Sequence, residues 1–417
     1  MPINRLLMLR ARGLSGAIFQ RVGAHLWAHS AGTVLAALPR PDFEADYSTG
    51  SLGDDATFTR ASSATMLDST GKLVVVGTNV PRFEPTPDGI ALRKERGVTN
   101  LIPVSKPATP AWTVSTASLA NDAGTLDIFG NSGASKVTVS GAAGYLRCVT
   151  AAMSGVQASV SAYLKKGNTT YGAISAYGLG SPSASYNFDT GVLSLAAGVT
   201  GFAEPIGNGW VRVFFTSVTT TTSGTLDIFP ARDLSNTRAA GDYLYVDGVQ
   251  GVTGYNNQTS LVVTTGATAS RANESLIYTG SPQGPFTYLL DHKQIGDNLG
   301  PDYRIVGEGS ATSHFRTTGG TIWEYSNLGF LRVLQETYAV NNRAKLAISF
   351  DTINNGVRLA AEGSTRFYDA TAALATPHGD QSVGVGQYST SFSSFLIYGF
   401  QWWNRALSED EIKKVTQ

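Results

Sequence analysis

A single cysteine, Cys148, stands in 417 residues, which excludes an intrachain disulfide framework and a cysteine-built zinc cluster. It falls in the run Tyr145-Leu146-Arg147-Cys148-Val149, where a small buried strand residue is expected. Charge is scarce as well. Only 15% of residues are charged, 31 basic against 31 acidic, so the chain carries no electrostatic footprint for nucleic acid and none is expected as a partner. Long apolar runs are missing too: the uncharged stretch Val22 to Leu38 has 17 residues, includes His25 and His29, and falls short of a membrane span. Acid is absent from residues 1–41, which hold five arginines (Arg5, Arg10, Arg12, Arg21 and Arg40). Arg10, Arg12 and Arg21 break up the apolar residues, so the segment does not read as a signal peptide.

Catalytic patterns are equally sparse. Two carboxyls alternating on a strand would share a face and suit glycan hydrolysis, yet no such Glu/Asp pattern occurs in 276–417. The dense acids there, Glu409, Asp410 and Glu411, sit where a helix begins; Ser408 is three residues before Glu411, the capping-box spacing. His25 and His29 lie four apart, but Leu26 occupies the place of the metalloprotease glutamate. His292, His314 and His378 are scattered, and Gly71-Lys72 lacks the rest of a phosphate loop. Asp291 and Asp297 are too isolated for a calcium loop. No enzyme, cofactor or metal is expected.

What is present points to sheets. Hydrophobics reach 42% and glycine numbers 46, a balance that builds cores and turns rather than disorder. The fold expected is mainly β: two antiparallel β-sandwiches with an N-terminal partly helical arm and an extended connector. Residues 1–45 form the arm, with Leu6, Leu9 and Leu14, then Ile18, Val22 and Leu26 near helical spacing. Residues 46–100 are short extended pieces, where Pro81, Pro85 and Pro87 are expected to forbid regular structure. A segment this small has to fold against a neighbour or within an oligomer. Residues 101–275 read as one sandwich, with strands separated by turns such as Asp189-Thr190-Gly191 and Gly207-Asn208-Gly209. Residues 276–417 read as a second.

Several runs carry a resemblance. Phe58-Thr59-Arg60-Ala61-Ser62-Ser63-Ala64-Thr65, Asp68 to Leu73, Asn79-Val80-Pro81-Arg82-Phe83-Glu84 and Arg96 to Ile102 resemble the leader of phage tail, fibre and minor virion structural proteins. In that group the leader precedes a carbohydrate-binding-module-like jelly roll. Val160 to Gly167, Asn187 to Gly191, Gly207 to Arg212, Leu244 to Gln250 and the exit Thr259 to Ala272 are similar to that module. Phe395 to Tyr398 and Trp403 to Ile412 look like the closing strand and helix of concanavalin-like (laminin-G-like) lectin domains.

The resemblance implies a virion structural protein of fibre, spike or decoration type, located on the particle surface. Its partners would be other virion proteins, further copies of itself (a trimer, by analogy) and host surface glycans. The arm residues expected to dock are Leu6, Leu9, Leu14, Ile18, Phe19, Val22, Leu26 and Trp27. Tyr171, Tyr177, Tyr186, Trp323 and Tyr325 are the candidate sugar-stacking rings, while Trp210 and Trp403 are expected to be buried. The alternative from another class is a polysaccharide depolymerase.

Overall fold

The computed structural model describes residues 38–417 except 54, 150–156, 178–183, 219–223, 255–258, 281–283, 296–302, 309–313, 319–321, 328–329, 336–341, 352–355, 362–363, 370–381, 386, 389–390 and 393. The docking residues Leu6 to Trp27, with His25, His29, Asp297 and His378, lie outside the described residues.

Two β-sandwiches account for most of the strands. In the first, one sheet runs Thr200–Pro205, Trp210–Val218, Gln157–Lys165, Tyr243–Thr253, Ser132–Val139, Ala117–Leu126 in spatial order. The facing sheet runs Leu193–Leu195, Ala184–Asn187, Tyr171–Tyr177, Thr225–Ala231, Tyr145–Val149, Thr113–Ser115. Alternation dictates what each strand buries. Along Trp210–Val218, Val211, Val213 and Phe215 enter the core between the sheets, while Trp210, Arg212 and Phe214 alternate with them. Ile174, Leu226, Ile228 and Cys148 meet them from the facing sheet. Burial pushes the Cys148 thiol up to about 12, so it is an inert apolar filler, as expected.

The second sandwich draws on both ends of the described chain. Its first sheet runs Ser364–Asp369, Gly356–Ala361, Arg343–Asp351, Phe286–Gln294, Phe395–Trp403, Gly89–Lys94, Arg82–Thr86, and Phe43–Asp46 pairs with the far half of Phe395–Trp403. Its second sheet begins with Ala56–Thr59 beside Ser275–Thr279 and ends with Phe330–Gln335. Residues 46–100 are therefore not a free-standing connector: the neighbour they need is the C-terminal sandwich, and the first sandwich is inserted between their end and residue 269. Val98–Asn100 pairs with Ala269–Arg271 as a two-stranded neck at the insertion. The prolines permit this. Arg82–Thr86 is a strand despite Pro85 because it is the sheet edge, where a missing N–H removes no ladder bond. At the other end, Glu409–Val415 forms the expected helix with its Ser408/Glu411 capping box, and packs Ile412 and Val415 on Trp403 and Leu289.

A buried ion network closes the neck. Glu274 Oε1 accepts from Arg60 Nη1 (2.7 Å) and Arg82 Nε (2.9 Å), and its Oε2 accepts from Arg82 Nη2 (2.7 Å) and the Glu95 amide (2.6 Å). Glu95 takes Arg82 Nη2 (2.8 Å), Arg271 Nη1 (3.0 Å) and the Ser260 hydroxyl (2.6 Å). Burial alone would raise the Glu95 carboxyl, but Arg271, Arg82 and Arg93 hold it well below the usual carboxylate range. The same guanidiniums reach the leader hairpin, Ala64–Leu67 with Leu73–Val76: Arg82 donates to the Thr65 carbonyl (2.9 Å) and Arg60 to that of Gly77 (2.6 Å).

The hairpin tip rests on the first sandwich. Gly207 donates its amide to the Gly71 carbonyl (2.9 Å), Leu73 donates to the Ile128 carbonyl (2.9 Å), and Leu73 packs with Ile128, Tyr163, Trp210 and Leu261. The approach is backbone to backbone: a Cβ on Gly207 would lie 2.3 Å from the Thr70 carbonyl oxygen, so only glycine fits.

Candidate functional site

Strand register sorts the candidate rings. Tyr186 is buried, inside the core between the two sheets and edge-on to Phe188 (5.5 Å), so it is unable to stack on a sugar. That corrects the expectation for Tyr186: its strand, Ala184–Asn187, points Tyr186 inward and offers Ser185 and Asn187 to the other side. Tyr171 is half-buried on the outer face of the same sheet. There it packs with Tyr145 against buried Phe229, Ala173 and Ala231. Arg147 stacks over the Tyr145 ring (4.5 Å) and forks onto Asp227 with two 2.6 Å bonds. Tyr177 ends this strand, and Trp323 and Tyr325 lie in Ile322–Asn327; the positions of these three side chains are outside the described residues.

The more polar outer layer is on the opposite sheet, where it is buried under neighbouring segments, and the sequence reading missed it. On its face away from the core, cross-strand register lines up Arg212, Tyr163 and Asp247, and in the next row Trp210, Lys165 and Tyr245. A bulge sets Asp247. Register shifts between Ser161 and Tyr163, and Gly248 takes φ +53°, where a Cβ would lie 2.5 Å from the Tyr163 ring. Lys165 reaches over the Trp210 ring (5.9 Å), Arg212 lies 5.3 Å from the Tyr163 ring centre, and Tyr245 donates to Asp122 (2.7 Å).

Two buried side chains here keep an atom without a well-formed hydrogen bond among the described residues. Arg212 donates from Nη2 to Ser161 Oγ (3.0 Å) and the Thr259 carbonyl (2.6 Å), but its buried Nε has no acceptor. Asp247 accepts the Gly248 amide at Oδ1 (2.7 Å), and the Ile128 amide also bears on its carboxyl, but Oδ2 lacks a well-formed hydrogen bond among the described residues. Such orphans are unusual in a folded interior. Beside Arg212, Ser159, Ser161, Phe214, Gln250 and Thr259 line a crevice with no room even for a water molecule. A glycan therefore has no cleft here, and the face itself is covered.

Asp247 also gives a test of the burial. Desolvation pushes its carboxyl up to about 7; the Gly248 amide, Lys106 and the Ile128 amide oppose the rise, and Asp127 adds to it. Lys106 is itself paired with Asp127 at 2.9 Å. A raised acid keeps its proton in the folded state while the unfolded chain loses it, so this group lowers stability as pH climbs from about 4 to 7, then stays level. Asp247→Asn lacks that decline. Relative to wild type it should gain roughly 2–4 kcal/mol at pH 8 and little at pH 4, read from urea midpoints at both pH values. Parallel pH profiles for the two proteins would contradict the burial.

The remaining candidates are structural. Asp291 is forked by Arg343 (2.8 and 2.7 Å), which occupies it with a cation of the protein's own. His292 is buried edge-on to Phe395 (5.0 Å), and burial pulls its imidazole down to about 4, so it is neutral at physiological pH. Trp210 and Trp403 are buried, as expected. Among the described residues no cluster of three metal-ligating side chains occurs, and no helix is long and apolar enough to cross a membrane.

No protein-family model and no curated protein matches the chain. Among solved structures, the CBM40 of the Ruminococcus gnavus IT-sialidase, bound to α2,3-sialyllactose, is 16% identical over 32% of this chain and 83% of its own, with a TM-score of 0.28. The binding domain of botulinum neurotoxin serotype D is 13% identical over 34% of this chain and 40% of its own (TM-score 0.27). A SAP-like pentraxin of Limulus polyphemus is 10% identical over 34% and 81% (TM-score 0.26). Likenesses this faint carry no argument about function, and the assignment of the chain to mainly β, antiparallel sandwiches rests on its own strand pairing.

Proposed function

We propose that the chain is a non-catalytic structural protein of a phage particle, of fibre, spike or decoration type, that displays two sandwich modules and touches host glycans weakly. The observation that carries this reading is the weaving of the leader. Its strands complete the C-terminal sandwich, its hairpin grips the inserted one, and a buried ion network ties both to the neck. A body stitched in this way is a stiff display scaffold, and the leader doing the stitching is the segment that resembles phage structural proteins. Shallow aromatic faces such as that of Tyr145 and Tyr171 suit weak sugar contact, which several copies on one particle would multiply into useful avidity.

The front end supplies attachment in this reading. Deleting residues 1–40 should leave a body with unchanged melting behaviour that is missing from purified particles. Incorporation of the truncated protein at the wild-type level would refute the anchor. The depolymerase alternative is checked on the same protein: incubation with host polysaccharide should release no new reducing ends, and their appearance would replace display with catalysis.

A further inference from the structure

We propose that the leader hairpin is a hinged cover over a sugar-stacking face of the inserted sandwich, so that glycan contact there is autoinhibited until the hairpin tip lifts. The inference rests on the display reading above and assigns its regulation. Beneath the cover, Trp210 and Tyr163 lie on adjacent strands of a face turned away from the core. The orphaned polar atoms, Arg212 Nε and Asp247 Oδ2, flank Tyr163 on either side. Rings for stacking with a guanidinium and a carboxyl group beside them are what a pyranose chain requires, and Leu73 and Leu67 of the hairpin pack where a sugar would lie against those rings.

The lid is attached unevenly. Among the described residues, Ala64–Leu67 and Leu73–Val76 pair with each other alone, as a separate two-stranded ribbon. Its base is fixed by Arg60 and Arg82, through the carbonyls of Gly77 and Thr65. Its tip is held by the Gly207–Gly71 and Leu73–Ile128 backbone bonds and by the side chains of Leu73 and Leu67. Loss of the tip contacts would swing the ribbon about its base while the neck stays closed. Across the strands, Phe214, Ser161 and Gln250 form the next row of the same face past Arg212.

Leu73→Asp, and Gly207→Ala as a gentler alternative, should undock the tip. Hydrogen exchange of the full-length protein should then speed up in 64–76 and 206–212 alone, and binding to an array of bacterial surface oligosaccharides should strengthen at least tenfold over wild type. Faster exchange with no gain in binding makes the hairpin a purely structural brace and overturns the cover. Equal binding by wild type and both variants also overturns it, yet leaves glycan display standing. Absence of binding in all three proteins removes the cover and the glycan part of the display reading together. Should Leu73→Asp fail to fold, Gly207→Ala is read by the same criteria.

Discussion

Glu274→Gln is expected to destabilise the protein by about 3–5 kcal/mol, the range for breaking a buried ion pair on one side. The carboxylate accepts four hydrogen bonds from Arg60, Arg82 and the Glu95 amide, and both partners' side chains are fully buried. An amide in its place turns one acceptor into a donor facing a donor, and it leaves Arg60 and Arg82 with one anion fewer in a medium that penalises bare charge. The effect should survive high salt, because ions do not screen charges they cannot reach. Lys413→Ala supplies the contrast. Its pair with Glu409 is solvent-exposed at one helix end, so its loss should cost less than about 1 kcal/mol and shrink further in salt. Chemical denaturation at low and high salt separates the two. A Glu274→Gln protein within 1 kcal/mol of wild type would show that the network is not what holds the neck.

Arg60 and Arg82 stood in the sequence within the leader runs and Arg271 in the exit of the inserted module, yet their pairing with Glu95 and Glu274 was illegible there. Arg82 and Glu274 are 192 residues apart, and charge patterning along a chain reports neighbours a few positions away. Strand identity was legible because alternation is local: the run Tyr145 to Val149, expected as a strand around a buried Cys148, is one. Which strands share a sheet was not legible, and so the leader was read as a connector. The same gap explains Tyr171 and Tyr186. Both sit on strands of one sheet, but only pairing across it (Tyr171 with Asn187, Gly172 with Tyr186) shows that the two rings point to opposite sides. Pro85 misled for a related reason: proline forbids a central strand and tolerates an edge, and edge position is a property of the assembled sheet. The Arg212–Tyr163–Asp247 row needed three strands and a bulge to come together, and no one segment of sequence holds that information.

Trimming the front end to residue 46 instead of 40 should change the outcome from neutral to severe. Phe43–Asp46 pairs residue by residue with Trp402 to Gly399, and Phe43 stacks on Trp402 at 3.8 Å and meets Tyr278 edge-on at 5.0 Å. Asp42 adds a bond from the Asn404 amide (2.7 Å), and Glu44 one from Gln401 (2.7 Å). Removing that strand uncovers Trp402 and one side of Tyr278 and leaves the edge of Phe395–Trp403 open to pairing with another chain. The loss should be on the order of 3–5 kcal/mol, comparable to deleting a large aromatic from a core, with aggregation on heating as a second symptom. A boundary drawn at residue 45, where the sequence places the end of the arm, therefore runs through a strand of the body. An attachment experiment with that cut would confuse loss of the anchor with loss of the fold. Thermal melts of the two truncations side by side distinguish these cases, and equal melting temperatures would mean that Phe43–Asp46 belongs to the arm after all.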